Sequence, residues 1–190
     1  MFHTKTYKTL FPRKIMKILD IGCGNHKVNG AVGLDNVKMP GVDVVHDLNK
    51  TPYPFKDNSF DLVFANHVLE HLTLDLDKIM IELSRICKSS GKISIEVPNA
   101  PSIGAFADPT HKKYFSYRTF DYFGSNEQSY YTKARIKILK IKLIINLGRL
   151  GNIMFKPIEM LINMQPKIYL LFPNIFPVTA LRFELQPIKK

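Results

Sequence analysis

The residues best suited to chemistry begin with a glycine pair behind a short apolar run. Gly22 and Gly24 directly follow Ile18–Ile21, a segment typical of a buried strand. Glycine lets the backbone approach a ligand and adopt positive φ without steric cost, although a plain tight turn explains the pair equally well. The next apolar run ends in Asp35, whose carboxylate can accept hydrogen bonds from both hydroxyls of a ribose. These positions point to a nucleotide site at the carboxyl ends of strands.

Two further strand ends extend this candidate site. Asp47 follows the third apolar run, where its carboxylate could accept from the exocyclic amine of an adenine or simply begin a loop. Asn66 and His67 follow the fourth run, which places them beside the same crevice. An NAD site would require a third glycine where the sequence has Lys27, and this departure disfavours NAD.

A histidine in a loop is the candidate for acid–base chemistry. His111 ends the segment Asp-Pro-Thr-His that begins at Asp108, after the fifth apolar run. An imidazole with an unperturbed pKa of about 6.5 suits proton abstraction, and Asp108 could orient it. The same histidine could instead cap the aromatic segment that follows. Glu70 and His71 resemble residues that begin a helix, and for them we favour a structural role.

Short apolar runs separated by turn residues must position these side chains. Five of them have the length and the Val, Ile and Leu content of strands in a parallel sheet: Lys17–Ile21, Ala31–Leu34, Val42–Val45, Phe60–Ala65 and Lys92–Val97. A segment with helical spacing lies between the fourth and fifth runs, which predicts a βαβ unit. The links between the first three runs are too short for full crossover helices, so we expect turns or loops there.

The second half of the chain has a different pattern. Arg135–Ile145 alternates basic and apolar residues, which predicts a strand with a bulge near Leu139, although an amphipathic helix fits the same letters. Thr179–Pro187 alternates again and could pair with it as an antiparallel edge hairpin. Between them, residues 146–177 are apolar, basic and interrupted by four prolines. This insertion could form a lid over an acceptor site or lie on a membrane.

The motifs taken together resemble a known family. Five segments occur in the order expected for class I S-adenosylmethionine (SAM)-dependent methyltransferases of type 11: ILDIGCG, GLD, HDL, PYPFKDNSFDLVFANHVLEHL and RICKSSGKISIEVPN. They resemble in particular the short members of this family that are described as predicted SAM-dependent methyltransferases. The resemblance is dense over residues 15–99 and looser through DPTHKKYFSYRTFDYF and FELQPIK. It implies a Rossmann-like α/β fold with a mostly parallel seven-stranded sheet, an antiparallel edge hairpin and reduced early helices. It also implies SAM as the cofactor.

The resemblance assigns roles to individual residues as well. The implied cofactor site consists of strand ends and the turns after them, namely Asp20, Gly22, Cys23, Gly24, Asp35, Asn36, Asp47, Leu48, Asn66 and His67. Asp20 and the two glycines would line the methionine part of SAM. Asp35 would hold the ribose, and Asp47 with Leu48 would contact the adenine. Asn66 and His67 would form the opposite wall. The catalytic candidates remain His111 as a base and Asp108.

Charge and cysteine content bound the partners and the compartment. Most of the net charge of +11 resides in the last third, because residues 132–190 contain 11 Lys and Arg against two acids. This is either a solvated basic face or a contact for an anionic partner, such as a membrane surface at residues 132–177 or, less favoured, nucleic acid. The two cysteines lack metal-ligand spacing, so we predict a reducing compartment and no metal site. Because no apolar run has the length of a signal peptide or a bilayer span, we expect a cytoplasmic protein at most peripheral to the membrane.

These observations predict one methyltransferase domain over residues 1–190. It would comprise an N-terminal extension at 1–14, a cofactor-binding half at 15–99 and an acceptor-side half at 100–190 with the insertion at about 146–177. The expected reaction is methyl transfer from SAM to an unidentified small-molecule or glycan acceptor, with a sugar or a lipid-linked glycan favoured. The alternatives are a nucleic-acid methyltransferase and a non-catalytic module that binds a nucleotide or a membrane.

Overall fold

A seven-stranded sheet in the order β3-β2-β1-β4-β5-β7-β6 organises the chain. The computed structural model describes residues 16–124 and 132–189, so the predicted N-terminal extension lies outside the described residues. The strands are β1 Ile18–Ile21, β2 Ala31–Asp35, β3 Val44–Val45, β4 Phe60–Asn66, β5 Cys87–Pro98, β6 Ile136–Ile144 and β7 Ala180–Pro187. The first five strands pair in parallel, and β7 lies between β5 and β6, antiparallel to both. The predicted sheet with an antiparallel edge hairpin is confirmed.

The edge hairpin also has the predicted irregularity. β6 pairs with β7 from the Ile136–Pro187 pair to the Ile144–Ala180 pair. The register shifts between Ile138 and Lys140, which is where the sequence predicted a bulge at Leu139. Because a bulge inserts one residue into one strand only, it restores the alternation of buried apolar and exposed basic side chains that the sequence pattern breaks.

Helices are concentrated after β4. Within the described residues, the links from β1 to β4 contain turns and no helix, so the expected reduction of the early helices is confirmed. A 3₁₀ turn at Leu69–His71 and helix α1 at Leu76–Ile86 connect β4 to β5. α1 buries Ile79, Met80, Leu83 and Ile86, the apolar face that its spacing predicts. Burying each of these side chains contributes about 1.5–3 kcal/mol to the free energy of unfolding.

β5 begins earlier than the sequence predicted. It starts at Cys87, directly after α1, but its pairing with β4 is interrupted between the Phe60–Cys87 pair and the Leu62–Lys92 pair. The regular part of β5 therefore begins at Lys92, as the apolar run predicts. After β5 the chain forms the short helix α2 at Ile103–Ala107 and a 3₁₀ turn at Thr119–Phe123.

The insertion between β6 and β7 is helical. It contains α3 Gly148–Met154, α4 Lys156–Met164 and α5 Pro166–Leu171, each of the last two with a proline in its first turn. Asn163 fixes α4 to the end of β6: its side chain accepts from the Leu143 N–H at 2.9 Å and donates to the Leu143 carbonyl at 2.8 Å. Within the described parts of the chain, no helix is both long and apolar enough to cross a bilayer.

One hydrophobic core joins the two halves of the chain. It runs without interruption from Leu19 and Leu34 on the early strands to Leu143 and Phe183 on the hairpin. The fully buried Ile93 and Ile95 of β5 lie between them. The cofactor side and the acceptor side are therefore held in fixed positions relative to each other, since close-packed cores do not deform continuously.

Candidate active site

The sheet register brings the predicted cofactor residues together. Ile21 lies opposite Leu34 of β2 and Ala65 of β4, so the residues that follow, Gly22, Asp35 and Asn66, meet at one edge. This is the carboxyl edge of the parallel strands, where open α/β sheets bind ligands.

The two glycines after β1 are required for different reasons. Gly22 has φ +65° and donates its N–H to the Leu34 carbonyl at 2.8 Å. A Cβ on Gly22 would lie 2.4 Å from a methyl group of Val68, so the residue is needed for packing as well as for the turn. Gly24 has φ +48°, but a Cβ there would meet no protein atom within 4 Å. Gly24 therefore faces open space at the strand ends.

Buried aspartates hold the glycine loop in place. Gly24 donates its N–H to Oδ2 of Asp35 at 2.9 Å, and Oδ1 of Asp35 accepts from the Val37 N–H at 3.2 Å. Each carboxylate oxygen has a second lone pair, so Asp35 can still accept hydroxyl groups of a ligand. Asp20 is 4% exposed and accepts from the Val28 N–H at 2.7 Å. Burial raises the pKa of the Asp20 carboxyl.

The remaining predicted cofactor residues differ in which of their groups a ligand could contact. Leu48 is 1% exposed, so only its backbone can contact a ligand, and its carbonyl accepts from the Tyr53 hydroxyl at 3.1 Å. Asp47 accepts from the Asn49 N–H at 3.0 Å, which lowers the pKa of the Asp47 carboxyl. Cys23 is buried, and burial raises the pKa of its thiol, so the thiol is neutral near pH 7. Asn36 and Asn66 are exposed at the strand ends.

Next to the predicted cofactor residues, a polar cavity of about 390 Å³ lies at the carboxyl ends of β4 and β5. Its titratable lining residues are His67, Glu70, His71, Glu96, Asp108 and His111. The insertion side contributes Ile144 and Asn146. His67 belongs to both regions, because it directly follows Asn66 at the end of β4. The sheet thus places an acceptor-sized cavity next to the predicted cofactor site.

His67 is held between two carboxylates. Its Nδ1 lies 3.3 Å from Oε1 of Glu70, and its Nε2 lies 3.3 Å from Oε1 of Glu96. These hydrogen bonds raise the pKa of His67 to about 9, so the ring is a cation near pH 7. Burial disfavours the charged form of Glu96, but the hydrogen bond from His67 and the ion pair with Arg182 outweigh it and lower the pKa of Glu96. His67 therefore cannot act as a base at neutral pH.

His111 has an environment that the sequence did not predict. Its Nδ1 donates to the Ala105 carbonyl at 2.8 Å, while its Nε2 lies 3.9 Å from Oδ2 of Asp108. Asp108 thus lies beyond hydrogen-bond distance from His111, and the Ala105 carbonyl orients the ring. Asp108 instead accepts from Thr110, through the hydroxyl at 2.6 Å and the N–H at 2.8 Å.

Glu70 and His71 belong to the cavity although their spacing suggested only a helix start. Glu70 is 1% exposed, and among the described residues its Oε2 has no hydrogen-bond partner. Nδ1 of His71 lies 2.9 Å from the hydroxyl of Thr110. The rings of His71 and His111 are 4.8 Å apart. Their position directly after the end of β4 is the one feature of the sequence that indicates a place in the site. Only the fold brings the 108–111 loop against them.

Comparisons with known proteins agree with the fold of the chain. Residues 30–95 match the model of the methyltransferase domain family. A SAM-dependent methyltransferase from Archaeoglobus fulgidus has a similar structure, with a TM-score of 0.57, 23% identity, and coverage of 91% of this chain and 86% of that chain. One from Mesorhizobium loti has a TM-score of 0.56 at 12% identity, covering 90% of each chain. The sheet therefore has the class I methyltransferase fold, and residues 30–95 are similar to the methyltransferase domain family.

A curated relative of the methyltransferase domain is also similar over a short segment. It is the uncharacterized protein MJ0638 of Methanocaldococcus jannaschii, 46% identical over 50 residues, or 26% of this chain. The segment spans only 21% of that relative's length. The likeness therefore carries no information about activity or an acceptor.

The predicted cofactor residues fit SAM, which the similarity to the methyltransferase domain family implies as the cofactor. The open space at Gly24 admits a ligand next to the backbone. Asp35 keeps free lone pairs for ribose hydroxyls, and Asp47 keeps an ionised carboxylate for an adenine amine. The supporting hydrogen bonds come from the protein itself, so the loop after β1 is shaped before a ligand binds.

Proposed function

We propose that this protein transfers a methyl group from SAM to a hydroxyl group of an acceptor in the polar cavity. The observation that carries the proposal is the adjacency of the two regions, which share His67 at the end of β4. SAM supplies a methyl group on a sulfonium, which is already a strong electrophile. The protein then needs to place an acceptor oxygen in line with that methyl group, at about 3–3.5 Å.

The polar lining of the cavity supports a hydroxyl acceptor. Glu70, Glu96 and Asp108 can accept hydrogen bonds from several hydroxyl groups, as a sugar requires. His111 is the residue that we propose as the base, because its Nδ1–H is donated to Ala105 and its Nε2 lone pair is therefore available. Asp108 supports this loop through Thr110 rather than by contacting the ring.

The helical insertion supports an acceptor that is linked to a lipid. Its large apolar side chains are exposed to an unusual degree: Leu150, Ile153, Met154, Met160, Met164, Leu171, Phe172 and Ile175 are each more than half exposed. Monomeric proteins rarely expose a continuous apolar patch of this kind without a partner. The insertion follows β6, whose last residue Ile144 lines the cavity, so a lipid contact there would lie next to the acceptor site.

The charge of the insertion indicates which surface it would meet. Arg149, Lys156 and Lys167 are exposed among the apolar residues. The one acid in 146–177, Glu159, is buried and paired with Lys156 at 2.9 Å. Cations around an apolar face favour an anionic bilayer. We therefore propose a peripheral, cytoplasmic-side enzyme that methylates a lipid-linked glycan, with a lid role or nucleic-acid binding of the insertion as the competing outcomes.

The direct test supplies radiolabelled SAM to the purified protein together with a bacterial lipid-linked glycan extract, and compares it with soluble sugars and random RNA. The proposal expects label in the organic phase with the lipid-linked glycan. Label in the RNA would instead establish the nucleic-acid alternative. Binding of SAM without label in any acceptor would favour the non-catalytic module.

A further inference from the structure

We propose that Glu70, His71 and His111 bind a divalent transition-metal ion at the polar cavity. One potential ligand atom of each residue lies within 4.8 Å of those of the other two, a separation that a single ion can bridge. Metal binding by these residues is independent of the proposed function. The role that we assign to the ion, binding the acceptor oxygen, rests on the proposed function.

The first observation is the unpartnered carboxylate oxygen of Glu70. The side chain is 1% exposed, and Oε1 is engaged by His67 at 3.3 Å while Oε2 has no partner among the described residues. Leaving a buried polar group unsatisfied costs about 1–3 kcal/mol, and more when the group is charged. A cation bound at Oε2 would remove this cost.

The second observation is the tautomer of each histidine. The Ala105 carbonyl can only accept, so in the neutral ring of His111 the proton is on Nδ1 and the lone pair is on Nε2. Thr110 donates its hydroxyl to Asp108 at 2.6 Å, so that hydroxyl accepts from Nδ1 of His71. His71 is therefore also left with a lone pair on Nε2. Two imidazoles and a carboxylate, one oxygen of which has no hydrogen-bond partner among the described residues, thus lie close together.

The surroundings match those of a metal site. Metal-binding histidines usually donate their other ring N–H to a carbonyl or to a hydrogen-bonded polar group, which fixes the ring. The Ala105 carbonyl does this for His111, and the Thr110–Asp108 pair does it for His71. His67 does the equivalent for Glu70 by binding its other oxygen.

The ligand types indicate the class of ion. Two imidazoles and one carboxylate suit Zn²⁺, Mn²⁺, Fe²⁺ or Co²⁺ better than Ca²⁺ or Mg²⁺, which prefer oxygen ligands.

Three protein ligands leave a coordination position open for the acceptor hydroxyl, whose pKa the ion would lower. With the ion bound, His111 is a ligand rather than the base, so the hydroxyl proton leaves to water and the acceptor oxygen forms a bond to the methyl carbon. The C–S bond breaks as its electron pair passes to sulfur, which leaves a neutral thioether.

The test uses chelator-treated, tag-free protein without cofactor or acceptor. Titration with Co²⁺ should produce the visible absorption of a histidine-bound ion at one equivalent, and calorimetry with Zn²⁺ should give the same stoichiometry. His71→Ala and His111→Ala should each weaken binding by at least tenfold, and Glu70→Gln should do so with little change in side-chain volume. Thr110→Val, which removes the hydroxyl that links His71 to Asp108, should weaken binding about 10–100-fold. His26→Ala is the matched control, because His26 lies outside the cluster and is exposed.

The outcomes separate the metal site from the proposed function. The metal site would be overturned if the wild-type protein binds no ion at one equivalent and the metal leaves its melting temperature unchanged. Binding that survives the His71→Ala/His111→Ala double substitution would overturn it as well. Metal binding without methyl transfer would support the site and contradict the proposed function. Transfer by chelator-treated protein at the full rate would contradict the acceptor-binding role of the ion.

Discussion

Asp35 at the end of β2 accepts a hydrogen bond from the backbone N–H of Gly24 at 2.9 Å, so the carboxylate that we predict to bind the cofactor also shapes the glycine loop. The carboxylate that would bind a ribose is thus positioned by the same loop that must leave room for the ligand. Substitutions at Asp35 should therefore affect stability and cofactor affinity together, and the two effects can be measured separately.

Asp35→Ala should abolish most of the stabilisation by S-adenosylhomocysteine. A ligand at a hundredfold excess over its Kd raises the free energy of unfolding by about 2.7 kcal/mol. Thermal melts with and without ligand measure this gain, while the melt without ligand reports the cost of the lost Gly24 bond, about 1 kcal/mol. Asp75→Ala, at the exposed start of α1, is the control and should keep the full gain. Strong binding of NADH with no response to S-adenosylhomocysteine would refute the cofactor assignment.

Gly22→Ala and Gly24→Ala should have different consequences. Both residues have positive φ, which costs an alanine about 1–2 kcal/mol. Gly22→Ala also forces a Cβ to within 2.4 Å of Val68, so it should lower stability considerably more. Gly24→Ala meets no protein atom and should mainly weaken cofactor binding. Urea unfolding and ligand titration of both variants measure the contrast, and equal stability losses would contradict it.

His111→Ala should slow methyl transfer about 10²–10⁴-fold while leaving cofactor binding intact. The loss is expected whether the imidazole removes a proton or binds an ion, because both roles use its free Nε2. Single-turnover rates with labelled SAM, beside calorimetric Kd values for S-adenosylhomocysteine, provide the measurement. An unchanged rate with the true acceptor would make His111 purely structural.

Membrane attachment should require the exposed apolar face of the insertion. Ile153→Asp and Leu171→Asp should reduce co-sedimentation with vesicles of anionic lipid at least fivefold, since each places a charge in the head-group boundary. Ile188→Asp, at a similarly exposed residue after β7, is the control for added charge. Attachment should persist in part at high salt, whereas RNA binding falls steeply with salt. No pelleting of wild-type protein with anionic vesicles at low salt would leave the lid as the role of the insertion.

Stability should fall at acidic pH partly through Glu82. Burial disfavours its charge, but Arg85 donates to it at 2.8 and 2.9 Å and the Tyr53 N–H at 2.7 Å, so the pKa of Glu82 is lowered on folding. A lowered folded-state pKa contributes stability above the unfolded pKa of about 4.3, which is lost as pH falls through the folded value. Glu82→Gln should lower stability at pH 7 by about 1–3 kcal/mol and flatten the acid limb of a melting-temperature series. An acid limb identical to that of wild type would exclude this contribution.

The sequence alone determined the strands, their parallel class and the edge hairpin. Runs such as Ala31–Leu34 are apolar throughout because both faces of a parallel sheet are covered. The phase slip at Leu139 marks a bulge because it breaks the alternation of a strand. The strand-end residues Gly22, Gly24 and Asp35 were recognisable because ligands in such sheets bind at that edge. These features are local, so they can be read from neighbouring residues.

Only the tertiary structure decided which residues meet in the acceptor cavity. Glu70 and His71 have the local pattern of a helix start, and nothing near them in sequence indicates His111 or Glu96. They become neighbours because β4 and β5 are adjacent and the 108–111 loop folds back to the end of β4. The orientations of the His111 and His71 rings depend in turn on Ala105 and Thr110. Such long-range contacts are set by packing of the whole sheet, and no spacing rule encodes them.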